Sequence, residues 1–113
     1  CAVIDIGDPT RPRQAATLPY SDTRGPNGLT VAGNVVFLAG GQAVEAIDVR
    51  DPTQPRKIAA QRFPEVFATA DDNAHDLVHR DGYLYVSGQS DHNFVVLRII
   101  DEALAALAED PGA

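Results

Sequence analysis

The sequence contains no tryptophan and no methionine, only seven aromatic residues and a single cysteine. One cysteine excludes an internal disulfide, so cysteine content does not identify the redox compartment. No apolar run approaches the roughly 18 residues that a membrane-spanning helix needs, and we therefore expect no membrane-spanning segment. With so few aromatic side chains, the core of this 113-residue chain must consist mainly of Val, Ile, Leu and Ala.

Basic residues are scarce in the second half of the chain. Residues 64–113 carry two basic and ten acidic side chains, whereas residues 1–63 carry seven basic and six acidic ones. Nucleic acids and anionic membranes require clustered Lys and Arg, so we expect neither as a partner. The acidic half is weakly favourable to cation binding, although a solvated acidic face is the simpler interpretation.

One strand-and-turn motif occurs twice, 43 residues apart. A short alternating strand runs into Asp-Pro-Thr-x-Pro, first at Ile4–Arg13 and again at Ile47–Arg56. Asp suits the first position of a β-turn, where its carboxylate can accept backbone N–H bonds, and Pro presets φ at the second. A strand-plus-turn unit that recurs at about 40–50 residues indicates a repeat architecture, and for all-β units it favours propeller blades.

Short apolar runs between turn residues predict four-stranded antiparallel meanders. We expect an all-β fold of β-propeller blades over residues 1–100, with half a blade at 1–18, a full blade at 28–63 and a partial blade at 75–100. Asp81-Gly82 between apolar runs is a strong hairpin signal. A propeller needs about four to eight blades. The propeller is therefore incomplete in this chain, and the remaining blades must come from a longer chain or from copies of itself.

Residues 101–113 break the strand pattern. Strong helix formers fill Asp101–Asp110, Asp101 can cap the first turn, and Pro111-Gly112 ends the run. The sequence predicts a short C-terminal helix and tail, with Leu104 and Leu107 on the face that docks on the body.

Cys1 allows three interpretations. It can be a lipid-modified residue left after lipoprotein signal cleavage, an N-terminal nucleophile exposed by self-cleavage, or an arbitrary boundary inside a longer chain. We favour the third, because Cys1–Ile4 corresponds to Val44–Ile47 of the second copy and so already lies within a repeat strand.

The strands Ala2–Ile6 and Glu45–Val49, each followed by Asp-Pro-Thr-x-Pro, resemble the LVIVD repeat family. Those repeats are named for a Leu-Val-Ile-Val-Asp strand followed by Asp-Pro-x-x-Pro, and they resemble bacterial and archaeal cell-surface β-propellers. The resemblance covers roughly residues 1–100 and departs at Arg98–Glu102, which leads to a helix as in a terminal repeat. It implies a propeller fold and an extracytoplasmic or cell-surface location, and it supplies no catalytic motif.

All three histidines lie between residues 75 and 92, in the acidic half. The strand order of a meander places His75-Asp76 and Asp91-His92 at the same end of a blade, near the central channel where propeller ligands commonly bind. Imidazole and carboxylate groups suit Zn²⁺ or another transition metal. The candidate ligands of a divalent metal are therefore His75, Asp76, Asp91 and His92. The simpler interpretation is that His75 and Asp76 form hydrogen bonds with loop backbone and neighbouring blades. His75 and His79 cannot share an ion on one strand, because four residues span about 13 Å.

The sequence favours an architecture more strongly than an activity. We expect a binding or interaction scaffold that forms the C-terminal part of a larger or oligomeric cell-surface propeller. The alternative is a propeller enzyme, a hydrolase or oxidoreductase, with a ligand or metal site near His75, Asp76 or His92. No catalytic residue is assigned, because neither a nucleophile nor a bound water can be identified from the sequence.

Overall fold

The computed structural model describes residues 2–18, 27–64, 74–88 and 93–109. These ranges contain nine strands and one helix. The strands pair as antiparallel neighbours into sheets of two, four and three strands, and the described residues do not close a propeller. The predicted antiparallel β architecture with one short C-terminal helix is confirmed.

The first sheet is a two-stranded hairpin of β1 (Ala2–Asp5) and β2 (Arg13–Thr17). Its pairing register shifts between Val3 and Ile4. The same irregularity recurs between Ala46 and Ile47 in the second sheet, at the 43-residue offset of the sequence repeat. The repeated sequence therefore specifies the local strand geometry as well as the turn that follows it.

The second sheet follows the chain in the order β3 (Gly28–Ala32), β4 (Val35–Gly40), β5 (Ala43–Asp48) and β6 (Arg56–Arg62). Every residue of β5 is buried, whereas every residue of β6 is exposed. The sequence of a central strand that is covered on both faces is typically a nearly continuous apolar run. This burial explains why β5 shows no clean alternation in the sequence.

The third sheet consists of β7 (Ala74–Arg80), β8 (Tyr83–Gly88) and β9 (Phe94–Arg98). A two-residue turn joins β7 to β8, with positive φ at Asp81 (52°) and Gly82 (82°). Two central residues in the left-handed region are the mark of a type I′ turn, which matches the natural twist of a hairpin. The predicted Asp-Gly hairpin is therefore confirmed.

The hydrophobic core lies between the second and third sheets, where β3 and β4 contact β7. The second sheet contributes one face of β4 and β5 together with the end of β3. The third sheet contributes the face that carries Leu77, Leu84 and Val86. The side chains from the second sheet are Ala32, Val35, Phe37, Ala39, Val44 and Ala46.

The helix α1 (Glu102–Glu109) covers one end of this core. The Asp101 carboxylate accepts a hydrogen bond from the Leu104 backbone N–H at 2.9 Å, which confirms Asp101 as the N-cap. Leu104 and Leu107 pack against the core as predicted, and the Leu107 carbonyl accepts the Asn34 N–H at 2.9 Å. Within the described part of the chain, no helix is long and apolar enough to cross a lipid bilayer.

Candidate functional site

The two Asp-Pro turns have the same geometry. The carboxylates of Asp8 and Asp51 each accept two hydrogen bonds from the Thr two residues later, one from its backbone N–H and one from its hydroxyl. The carbonyls of these two Asp residues accept the N–H of Arg11 and Gln54, both at 2.9 Å. The predicted role of Asp at the first turn position is confirmed, and its carboxylate is occupied in holding the turn.

The Asp that ends each preceding strand caps the backbone in the same way. Asp5 accepts the Gly7 N–H at 2.8 Å, and Asp48 accepts the Arg50 N–H at 3.0 Å. The Asp48 carboxylate also binds the Arg50 guanidinium through contacts of 2.8 and 3.2 Å. These hydrogen bonds hold the pKa of Asp48 below its usual value of 3.8.

A shallow concavity lies beside each turn, and the two concavities are lined by equivalent residues. The first is lined by Asp5, Gly7, Asp8, Arg11 and Arg13, and the second by Asp48, Arg50, Asp51, Gln54 and Arg56. In both, the carboxylates are already bonded to backbone N–H groups, Thr hydroxyls or Arg. We therefore interpret the Asp-Pro turns as structural elements.

The lowered pKa of Asp48 predicts a loss of stability in acid. A carboxyl whose folded-state pKa lies below its unfolded-state value stabilises the protein above the unfolded value and loses that contribution as the pH falls through the folded value. The Asp48 side chain is only 6% exposed, so we expect Asp48→Asn to cost about 2 kcal/mol at neutral pH. Urea unfolding of both proteins from about pH 5 to about pH 3 measures the difference. The two stability curves should converge as the pH falls, and parallel curves would contradict the assignment.

His75 and Asp76 lie at the start of β7, where the pairing with β8 is irregular. Ala74 is paired with Gly88 but Asp76 with Ser87, so His75 is the extra residue of a bulge. Strict alternation would place His75 on the buried face with Leu77 and His79. Because of the bulge, its side chain is exposed instead.

The Asp76 carboxylate accepts the Leu77 N–H at 2.9 Å and is also exposed. The other two candidate ligands, Asp91 and His92, lie outside the described residues. Within residues 2–18, 27–64, 74–88 and 93–109, no group of three or more His, Cys, Asp or Glu side chains is placed to hold a metal ion. The divalent-metal site at His75, Asp76, Asp91 and His92 therefore remains a prediction.

His79 belongs to the core interface. Its ring stacks on Phe37 with centroids 5.9 Å apart and an interplanar angle of 7°. Its Nε2 is buried and has no hydrogen-bond partner among the described residues. An imidazole stacked between two sheets is a packing group, so the structure separates His79 from the exposed His75.

The face of the third sheet that points away from the core is the largest feature that sequence reasoning missed. It exposes five apolar side chains on three adjacent strands: Val78 (57%), Tyr83 (38%), Tyr85 (37%), Phe94 (59%) and Val96 (50%). The Tyr85 ring contacts Tyr83 and Phe94, with centroids 6.5 and 6.3 Å away. Contiguous exposed apolar patches are typical of surfaces that bind a partner. In the sequence, β8 and β9 are nearly continuous apolar runs, so the pattern does not indicate which face is exposed.

A second apolar feature lies on the other side of the third sheet. A groove of about 210 Å³ separates β6 from β9, and its walls include Ala59, Ala60, Leu84 and Leu97. The start of α1 closes one end of the groove through Leu104.

No protein-family model, curated protein or solved structure matches this chain. The geometry of the sheets and the internal repeat are therefore the features from which a function can be inferred.

Proposed function

We propose that this chain is a binding scaffold, the C-terminal part of a larger or oligomeric β-propeller that binds through the exposed face of its third sheet. An extracytoplasmic or cell-surface location, which the LVIVD resemblance implies, belongs to the same proposal. The observation that carries it is the way in which the second and third sheets stack.

The two sheets stack front to back. At the 48-residue offset of the sequence repeat, β8 corresponds to β4, so Leu84 and Val86 correspond to Val36 and Leu38. In β4, however, the residues that face the third sheet are on the opposite face, at Val35 and Phe37. Each sheet therefore covers its neighbour with a different face, as in stacked repeats, and the arrangement can continue beyond the last sheet.

The exposed face of the third sheet is the next position in this stack. Tyr83 and Tyr85 correspond to Val35 and Phe37, which are fully buried beneath the third sheet. The equivalent face is thus a covered surface in one sheet and an exposed surface in the other. Tyrosine suits such a surface because its ring supplies apolar contact area while its hydroxyl stays near water.

The described geometry supports the scaffold better than the enzyme alternative. The exposed side chains of His75 and Asp76 are set by a bulge and a local backbone hydrogen bond, and neither lines the groove between β6 and β9. The apolar face, in contrast, has the side chains and the position of a contact surface.

The test measures whether copies of the 113-residue chain associate with one another through this face. Sedimentation velocity should show concentration-dependent association of the unmodified chain, and Tyr85→Glu should abolish it, because a carboxylate in an apolar contact is not compensated. The matched control is Ile58→Glu, which alters an exposed apolar residue of β6 outside this face. An unmodified chain that stays monomeric at its solubility limit, or association that survives Tyr85→Glu, would contradict the proposal.

A further inference from the structure

The strand β9 has a free edge in the described part of the chain. Each central strand of the second sheet is paired on both sides, and β5 lies between β4 and β6. The equivalent strand β9 pairs with β8 alone. Its unpaired backbone N–H and C=O groups are a template for one more strand.

The groove between β6 and β9 lies beside this free edge. Ala59 and Ala60 of β6 form one wall, and Leu97 of β9 forms another. These alanines belong to a strand that is exposed along its whole length. The groove is therefore open beside the free edge, and small side chains on the β6 wall leave room for a backbone.

The internal repeat indicates the charge that this strand should carry. Val35 pairs with Asp48 across β4 and β5, and Tyr83 pairs with Arg98 across β8 and β9. Because Tyr83 corresponds to Val35 at the 48-residue offset, Arg98 occupies the position of Asp48. The charge at this position is reversed.

The strand β6 places a basic residue opposite the acidic Asp48. Arg56 is paired with Asp48 in the register, and their charged groups are 3.7 Å apart. No ion pair within the described residues involves Arg98, although it lines the groove. A strand on β9 should therefore present an acidic side chain where β6 presents Arg56.

The next position of β6 gives a second requirement. Lys57 is paired with Ile47 and lies 3.9 Å from Glu45, which is on the same strand as Ile47. The residues of β9 that correspond to Ile47 and Glu45 are Leu97 and Val95, both aliphatic. An aliphatic residue therefore suits the place that Lys57 occupies in β6.

We propose that the free edge of β9 binds an extended segment, antiparallel to β9, with an acidic residue opposite Arg98 and aliphatic residues facing the groove. The segment completes the third sheet by strand addition, in which main-chain hydrogen bonds supply affinity and alternate side chains supply specificity. The site is the edge of the third sheet, formed by the backbone of β9, although the Arg98 side chain lies on the same face as Tyr83. It does not depend on the proposed function.

The experiment compares two labelled peptides by fluorescence anisotropy. One has the seven-residue β6 sequence Arg56–Arg62, and the other carries Arg56→Glu and Lys57→Val in that sequence. The acidic peptide should bind the unmodified chain about fivefold more tightly, because opposite charges across a strand pair are favourable and like charges are not. The chain variant Arg98→Asp should reverse the preference. Amide chemical shifts should change mainly in β9 and at Ala59 and Ala60.

Any other result of the peptide experiment would contradict the proposal. The edge site is wrong if neither peptide binds, if both bind equally to the unmodified and Arg98→Asp chains, or if the shifts lie elsewhere. Dimerisation of the chain through β9 that excludes the peptide would make a second copy the occupant. Tyr85 and Arg98 share the exposed face of the third sheet, but Tyr85 lies in β8 and β9 separates it from the bound segment. The Tyr85→Glu chain should therefore still bind the peptide, so this proposal and the proposed function fail separately.

Discussion

Phe37→Ala is expected to destabilise the protein by about 3–5 kcal/mol. Phe37 is fully buried between the second and third sheets and stacks on His79. Truncation removes a whole ring from the surface where the sheets meet and leaves a cavity that the strands cannot fill without moving. Since a domain of this size has a total stability of about 5–15 kcal/mol, a large share of the molecules should unfold at moderate temperature.

Urea unfolding measures this loss as a lower midpoint at an unchanged slope. Phe37→Leu is the matched control, because it keeps an apolar side chain at the interface and should cost about 1–2 kcal/mol. A stability of Phe37→Ala within about 1 kcal/mol of the unmodified protein would mean that the two sheets do not pack as described.

Gly28→Ala is the second change with a large expected effect, a loss of about 2–3 kcal/mol. A Cβ at position 28 would lie 2.5 Å from the His75 carbonyl oxygen and 2.9 Å from the Asp76 Cα. Both are backbone atoms, so no side-chain rotation relieves the overlap. The strands β3 and β7 would have to separate at the bulge.

The control for this substitution is Gly82→Ala. A Cβ at Gly82 meets nothing within 4 Å, but its φ of 82° is unfavourable for alanine, which should cost about 1 kcal/mol. Thermal unfolding ranks the two variants, and hydrogen exchange of the β7 amides locates the disturbance. If Gly28→Ala is as stable as the unmodified chain, β3 and β7 are not in close contact.

Local features of the fold were predictable from the sequence because neighbouring residues determine them. The Asp-Pro turns, the Asp81-Gly82 hairpin and the Asp101 cap each depend on side chains that bond backbone groups within a few residues. The strands and the helix also formed where alternation and helix propensity placed them.

The candidate site was less accessible to sequence reasoning. The alternation of β7 predicts that His75 lies on the same face as Leu77 and His79, but one extra residue opposite β8 leaves His75 exposed. The burial of Glu45, only 2% exposed, likewise follows from the coverage of β5 on both faces. The first outcome depends on the register between β7 and β8, and the second on packing between sheets, and the sequence of a single strand specifies neither.

The sequence by itself determined the strands, the turns and the repeat, because short-range hydrogen bonding and side-chain alternation are local properties. Only the tertiary structure decided which face of each sheet is covered. Leu84 and Val86 correspond to Val36 and Leu38, yet the second sheet meets them with its other face. Front-to-back packing leaves Tyr85 exposed at a position where Phe37 is buried. The same run of apolar residues thus produces a buried core in one sheet and an exposed apolar face in the next.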